Sequence, residues 1–360
     1  MMKRTSLDQW ISKKHHLNMD DRQAIDAYQL ARIRALIDYV KAHSPFYRQL
    51  YEDFPVPSSL DAFSQFPMID ADDLIRSGTS MLCVKQSEIS RIVTLGRMVV
   101  ENDSECPHAD SECELTGIGP SLNQDDTGTL MTLRTSGTIA SPKRIYFTRE
   151  DIELTLDFFE NGMKTLCRPG DRALILFPAK TPDSVGALLS EALRRLGLTV
   201  HCEDDEAAVA LLRDVPVDVV CGPASILMEL SQQTEGCRVR AVLSSSERLS
   251  LDDRKKLAHA WRCRVFDHYG MTETGLGGAV ECDAHQGMHI RENDLYVEVI
   301  DGEGERARDH HVKGDLVVTT LTRRGMPFIR YRTGDEAVLT IERCPCGSLL
   351  RRILYVHRKR

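Results

Sequence analysis

No stretch of this 360-residue chain approaches the roughly 20 apolar residues needed to span a bilayer. The start, Met1-Met2-Lys3-Arg4-Thr5-Ser6 running into Asp8, Gln9 and Trp10, lacks the apolar core of a signal peptide. Positive charge is not in surplus: 46 Lys and Arg stand against 54 Asp and Glu, a formal net charge of -8. That removes the electrostatic case for nucleic acid or an anionic membrane as a general partner. The 11 cysteines are scattered, odd in number and set in a large chain, so a disulfide framework is not expected. There is no internal repeat. The remaining class is a cytoplasmic globular protein whose cysteines are thiols or metal ligands. Its 42% hydrophobic and 28% charged residues are ordinary for such a protein. The length allows two or three domains and a real core.

Four regions are expected before the extreme C-terminus. Residues 1–95 read as helical. Ala24, Ile25, Tyr28, Leu30, Ile33, Leu36, Ile37 and Val40 recur at helical spacing over 20–51. Ser44-Pro45-Phe46-Tyr47 reads as an extended turn, and Asp70 as a helix N-cap. Residues 96–128 are a polar insertion with little periodicity, expected to be mobile. Its Cys106, His108 and Cys113 are either metal ligands or incidental thiols in an exposed loop. Residues 129–280 form an α/β core. Within it, short apolar strands near 173–177, 198–200, 217–221, 239–243 and 264–266 alternate with helices, which predicts a parallel sheet wrapped by helices. After Gly287 the period changes to two, at 295–300, 315–320 and 337–341, predicting a smaller antiparallel β subdomain over 281–350. Ligands are expected at the ends of the parallel strands.

Three runs could carry chemistry there. Thr135-Ser136-Gly137-Thr138, followed by Pro142-Lys143-Arg144, offers backbone N–H groups and hydroxyls to phosphate oxygens, with a cation beside them. It lacks the Gly-Lys-Ser/Thr ending of a Walker loop, and a plain turn between strands is the alternative. Asp267-His268-Tyr269-Gly270-Met271-Thr272-Glu273 follows the last parallel strand. There a ring can stack on a base, a hydroxyl can bond phosphate and a carboxylate can hold Mg²⁺. The alternative is a loop with a packed Tyr and a solvated Glu. Gly275-Leu276-Gly277-Gly278 is not a dinucleotide fingerprint, because no helix-opening pattern follows it. Tyr331-Arg332-Thr333-Gly334-Asp335 reads as a turn whose Asp could accept both ribose hydroxyls, or could bond its own backbone.

Taken in order, these runs resemble the acyl-adenylate-forming superfamily, and most closely its phenylacetate–CoA ligase branch. Ser44-Pro45-Phe46-Tyr47 and Cys344-Pro345-Cys346-Gly347 match as well. The resemblance implies that the α/β core belongs to the large N-terminal domain of an adenylate-forming enzyme. It implies an AMP-forming acid–CoA ligase acting on an aryl or arylacetic acid, with ATP, Mg²⁺ and coenzyme A. Ser136, Gly137, Thr138 and Lys143 would form the phosphate loop, and Ser245, Ser246 and Glu247 would present backbone to adenine. Tyr269, with Gly270 beside it, would stack on adenine. Thr272 would contact the α-phosphate, Glu273 would bind Mg²⁺ and Asp335 would hold the ribose. The acyl pocket would draw on residues 177–186. A homodimer is compatible with the family.

The chain departs from the family pattern in two places. Ile139-Ala140 replaces the usual Thr-Gly, which removes a hydroxyl donor and a permissive glycine. Residues 351–360 are where the family's hinge would begin, ahead of a mobile C-terminal domain with its adenylation lysine, so the sequence is expected to be either a fragment or a natural short form. The rival expectation is therefore a non-catalytic nucleotide- or acyl-adenylate-binding relative. Separately, Cys282, His289, Cys344 and Cys346 form a Cys₃His set suited to structural zinc, the alternative being four unrelated side chains.

Overall fold

The computed structural model describes residues 3–95, 129–133, 143–182, 184–304, 306 and 311–359. The insertion at 96–128 and the loop residues Ser136, Gly137, Thr138, Ile139 and Ala140 lie outside the described residues.

The N-terminal region opens with α1 (Ser6–His15), α2 (Arg22–His43) and α3 (Pro45–Leu50), then α4 (Leu60–Phe63) and α5 (Ala71–Ser77). The expected extended turn at 44–47 is corrected. Ser44 is extended, but it caps a helix that begins at Pro45, and its hydroxyl accepts from the Tyr47 amide at 3.4 Å. Proline suits a first helical position, because its φ is preset and its missing N–H would have no helical partner. Asp70 caps α5 as expected, in a reciprocal box with Asp73.

Strands β1 (Ile89–Leu95), β2 (Thr129–Leu133) and β3 (Lys143–Thr148) make a small sheet in the order β2-β1-β3. Helix α6 (Arg149–Met163) follows β3 directly. Thr148 and Asp151 form its capping box, and the Asp151 carboxylate also accepts from the amides of Arg324 and Gly325 at 2.7 and 2.9 Å. One acid thus ties the helix start to a distant loop.

Then β4 (Arg172–Ile175), α7 (Val185–Arg195), β5 (Thr199–Cys202), α8 (Asp205–Asp214) and β6 (Val219–Gly222) alternate. They are followed by α9 (Ala224–Gln233), β7 (Ala241–Ser244), α10 (Leu251–Ala260) and β8 (Arg264–Tyr269). The strands β8-β7-β6-β4-β5 pair in parallel. Side chains alternate across the sheet. Ala173, Ile175, Val219, Cys221 and Leu243 face one core with Leu156 and Phe158 of α6 and Leu188 and Leu193 of α7. Leu174, Val220, Val242 and Val265 face a second core with Leu212, Leu227, Leu257 and Trp261. Burial on both faces explains the continuous apolar runs of these strands.

The β region continues the same sheet. Strands β9 (Ala279–Glu281), β10 (Met288–Ile290), β11 (Leu295–Ile300), β12 (Lys313–Thr320), β13 (Tyr331–Thr340) and β14 (Arg352–Arg358) extend it through antiparallel pairs. The order is β11-β12-β13-β14-β10-β9-β8-β7-β6-β4-β5. The fold is α/β, a large mixed sheet flanked by helices. Three local expectations change. Asp267, His268 and Tyr269 are strand residues, because they pair with β7 and β9. Thr333-Gly334-Asp335 is a bulge within β13 rather than a turn: Asp315 pairs with Glu336 while Val317 pairs with Arg332, and Gly334 takes a φ of 80°. Residues 352–358, expected to open a hinge, are strand β14, hydrogen-bonded between β13 and β10.

Candidate active site

The C-terminal ends of β7 and β8, the start of β3 and the bulge in β13 meet at one edge of the sheet. After β8, Gly270 lets the chain turn sharply: a Cβ there would sit 2.5 Å from the Leu276 carbonyl oxygen. The next residues, Thr272–Thr274, form one 3₁₀ turn that places the Glu273 carboxylate inside the protein.

Glu273 is 1% exposed and is held from several sides. Its Oε1 accepts from Lys143 Nζ and from the Tyr331 hydroxyl, the latter at 3.0 Å. Lys143 Nζ also donates to the Tyr331 oxygen at 3.4 Å. Arg323 braces the turn by donating to the Glu273 carbonyl at 3.0 Å. Burial lowers Arg323 to about 10 and pushes the Tyr331 phenol well up. Lys143 and Glu273, both expected site residues, are therefore brought together. Tyr331 is a partner that sequence reasoning left without a role. The signal was present: Tyr331, Thr333 and Asp335 alternate along β13, and all three are buried.

Tyr269 and Asp335 also meet. The Tyr269 hydroxyl donates to Asp335 Oδ2 at 2.8 Å, and Arg358 Nη1 donates to Oδ1 at 3.2 Å. Burial raises the Tyr269 phenol well above its usual range, so it stays a donor. Arg358 was missed because β14 read as a hinge. Ser245 and Ser246 follow β7, and Ser246 takes a φ of 71°. The Glu247 carboxylate does not face them. It accepts from the Ser225 amide and hydroxyl, at 2.7 and 2.9 Å, in the first turn of α9. Thr272 lines a cavity beside the turn.

Two spaces adjoin here. A cavity of about 170 Å³ is walled by Phe158, Phe159, Met163, Phe177, Val185 and Leu276, with Thr272 also on its lining. A groove of about 800 Å³ runs past Glu247, Tyr269, Asp335 and Arg358. Ser246, His268, Gly270 and Met271 line both. Phe177 and Val185 come from the segment expected to form the acyl pocket. Phe158, Phe159 and Met163, with Gly162 between them on α6, were not foreseen, since a helical apolar stripe reads as core.

Away from this edge, Cys282, His289, Cys344 and Cys346 are buried together, their ligand atoms all within 4.8 Å of one another. Cys282 Sγ lies 3.7 Å from Cys344 Sγ and 3.3 Å from His289 Nε2, which lies 3.6 Å from Cys346 Sγ. Ligands around a tetrahedral zinc sit roughly 3.5–3.8 Å apart, given Zn–S near 2.3 Å and Zn–N near 2.0–2.1 Å. The donor set suits that ion, and two of these three separations fall within that spacing.

This architecture defines a class. The model for the family described as AMP-binding enzyme matches residues 57–322. The chain belongs to that family, as its ordered motifs led us to expect. The phenylacetate-coenzyme A ligase of Thermus thermophilus is 26% identical over 353 residues, covering 91% of this chain and 68% of that protein. The phenylacetate-coenzyme A ligase of Pseudomonas putida is 24% identical, covering 87% and 66%. Among solved structures, an open conformation of 2-hydroxyisobutyryl-CoA ligase with 2-HIB-AMP and CoA superposes with a TM-score of 0.73 at 19% identity, over 92% of this chain and 74% of that one. That likeness shows the fold. The chain spans about two thirds of the length of these curated relatives.

Proposed function

We propose that this chain activates a small aryl or arylacetic acid as an AMP-forming acid–CoA ligase. In the first step a carboxylate oxygen attacks the α-phosphorus of ATP. The bond to the β-phosphate bridging oxygen breaks, giving acyl-AMP and pyrophosphate. In the second, the thiolate of coenzyme A attacks the acyl carbon and AMP leaves with the former carboxylate oxygen. The observation that carries the reading is the junction of an apolar, ring-sized cavity with a larger and more polar groove, at Ser246, His268, Gly270 and Met271. The acid fits the cavity, the nucleotide fits the groove, and their reacting ends meet between them. Asp335, oriented by Tyr269 and Arg358, would accept the ribose hydroxyls. Thr272 would donate to the α-phosphate, and Lys143 would offset phosphate charge.

Glu273 fits a Mg²⁺ ion of the kind that takes one carboxylate, phosphate oxygens and waters. Its Oε2 has no partner among the described residues, while Lys143 and Tyr331 hold Oε1. The ion would offset charge on the phosphates. Zinc at Cys282, His289, Cys344 and Cys346 would be structural. It would fasten the loop after β9 to the turn before β14, where Arg343, Pro345, Gly347 and Ser348 offer little core.

Acid-dependent ATP–pyrophosphate exchange tests the first step. Exchange that rises with an aryl acid supports the ligase. AMP binding without exchange for any acid would instead make the chain a nucleotide-binding relative.

A further inference from the structure

The cavity wall carries an imidazole that its apolar neighbours do not explain. His268, on β8, has its Nδ1 2.7 Å from the Ser245 hydroxyl. Its Nε2 is buried with no hydrogen-bond partner among the described residues. The ring lies against Phe158 and Phe159, with centroids 6.0 and 6.5 Å away. A Cβ at Gly270 would come within 2.9 Å of its Cε1, so the glycine leaves the imidazole its place. An unpaired buried polar atom is destabilising, and native proteins keep few of them.

We propose that His268 is a specificity-determining residue: its Nε2 binds a hydroxyl on the ring of the acid, so the substrate is a monohydroxylated aryl or arylacetic acid. This rests on the acid-activation reading above. The size fits. An apolar cavity of about 150 Å³ accepts benzene, so about 170 Å³ takes one ring with a small substituent. The chemistry fits as well. Burial holds His268 neutral by lowering its pKa to about 4. A neutral imidazole has one donor and one acceptor nitrogen. The Ser245 hydroxyl can donate to Nδ1 or accept from it, and Nε2 then takes the opposite role. A substrate hydroxyl can pair with Nε2 in either case. An ionised substituent would be desolvated by the surrounding Phe158, Phe159, Met163 and Leu276 at high cost.

The test is ATP–pyrophosphate exchange with matched acids: benzoate, phenylacetate and their ortho-, meta- and para-hydroxy forms. One hydroxylated isomer is expected to exceed its parent by about 10- to 100-fold in kcat/KM, the range for leaving a buried polar atom unpaired. In His268→Leu that ratio should collapse toward one or invert. Ser245→Ala, which frees the ring to turn, should reduce it without removing it. A purely structural role for His268 would lower all acids alike and leave the ratio unchanged. The inference is overturned if the wild type prefers the parent acids, or if His268→Leu keeps the hydroxyl preference. If His268→Leu does not fold, the Ser245→Ala ratio and the ¹⁵N shift of the imidazole on adding hydroxylated against parent acid decide the matter. No shift with either acid, and an unchanged ratio, overturn it. Exchange with no acid at all overturns the acid-activation reading, and the inference with it. Exchange with unmodified acids only overturns the inference alone.

Discussion

Replacing Asp335 by Ala removes the carboxylate assigned to the ribose. In the structure that carboxylate is 8% exposed, accepts from the Tyr269 hydroxyl at 2.8 Å and lies 3.2 Å from Arg358. A ribose hydroxyl bonded to it would make a hydrogen bond to a charged group, contributing about 1.5–3 kcal/mol. At 1.4 kcal/mol per factor of ten, AMP affinity should fall roughly 12- to 140-fold. Tyr269→Phe keeps the charge and removes only one orienting bond, so its loss should be several times smaller. Titration calorimetry with AMP reads both, and thermal melts confirm that the variants are folded. A folded Asp335→Ala protein that binds AMP within twofold of wild type would refute the ribose assignment. A larger loss in Tyr269→Phe than in Asp335→Ala would show that the Tyr269 hydroxyl matters more than the carboxylate it bonds.

Lys143→Met strands the buried Glu273 carboxylate, and breaking such a pair costs about 3–5 kcal/mol. Urea unfolding should show that loss in the single variant, and much of it recovered in Lys143→Met with Glu273→Gln. Asp267 and His268 give opposite pH dependences. Burial raises Asp267 from 3.8 to about 7, so its contribution to stability falls as pH rises from about 4 to 7. Burial lowers His268 from 6.5 to about 4, so its contribution falls as pH drops through that window. Asp267→Asn should therefore gain stability relative to wild type as pH rises from 4 to 7, by about 1.4 kcal/mol per unit at most; a flat difference in urea midpoints would contradict this. Elemental analysis of protein purified without chelator should find one zinc per chain, and Cys344→Ser should lower the melting temperature. Protein free of zinc with an unchanged melt in Cys344→Ser would dismiss the metal.

Much of the fold was legible because burial on both faces leaves unbroken apolar strands. Ala173, Leu174 and Ile175 could hardly be anything else between a polar turn and an amphipathic helix. The reading failed where polar residues are strand residues for the sake of the site. Asp267, His268 and Tyr269 look like loop, yet Asp267 pairs with β7 and His268 and Tyr269 pair with β9, which keeps them extended. Gly334 and Asp335 carry a turn signal that a bulge uses equally well. Arg352, Tyr355 and Arg358 look like a polar tail, but β10 and β13 hold them in the sheet. In the site, the motifs named Lys143, Glu273, Tyr269 and Asp335 one by one. Which of them touch was not readable, since Lys143 and Glu273 are 130 residues apart. The sequence named all four of Cys282, His289, Cys344 and Cys346, and the pairing of β9, β10 and β14 is what brings them together.

The central claim is that the acid's own oxygen attacks the nucleotide. It is tested most directly by incubating the protein with an aryl acid labelled with ¹⁸O in both carboxylate oxygens, Mg²⁺, ATP and hydroxylamine, and weighing the nucleotide product. Hydroxylamine attacks the acyl carbon and releases AMP, so coenzyme A is not needed. The account predicts AMP carrying one ¹⁸O, formed together with the hydroxamate. Unlabelled AMP, ADP in its place, or no nucleotide product with any acid would contradict it.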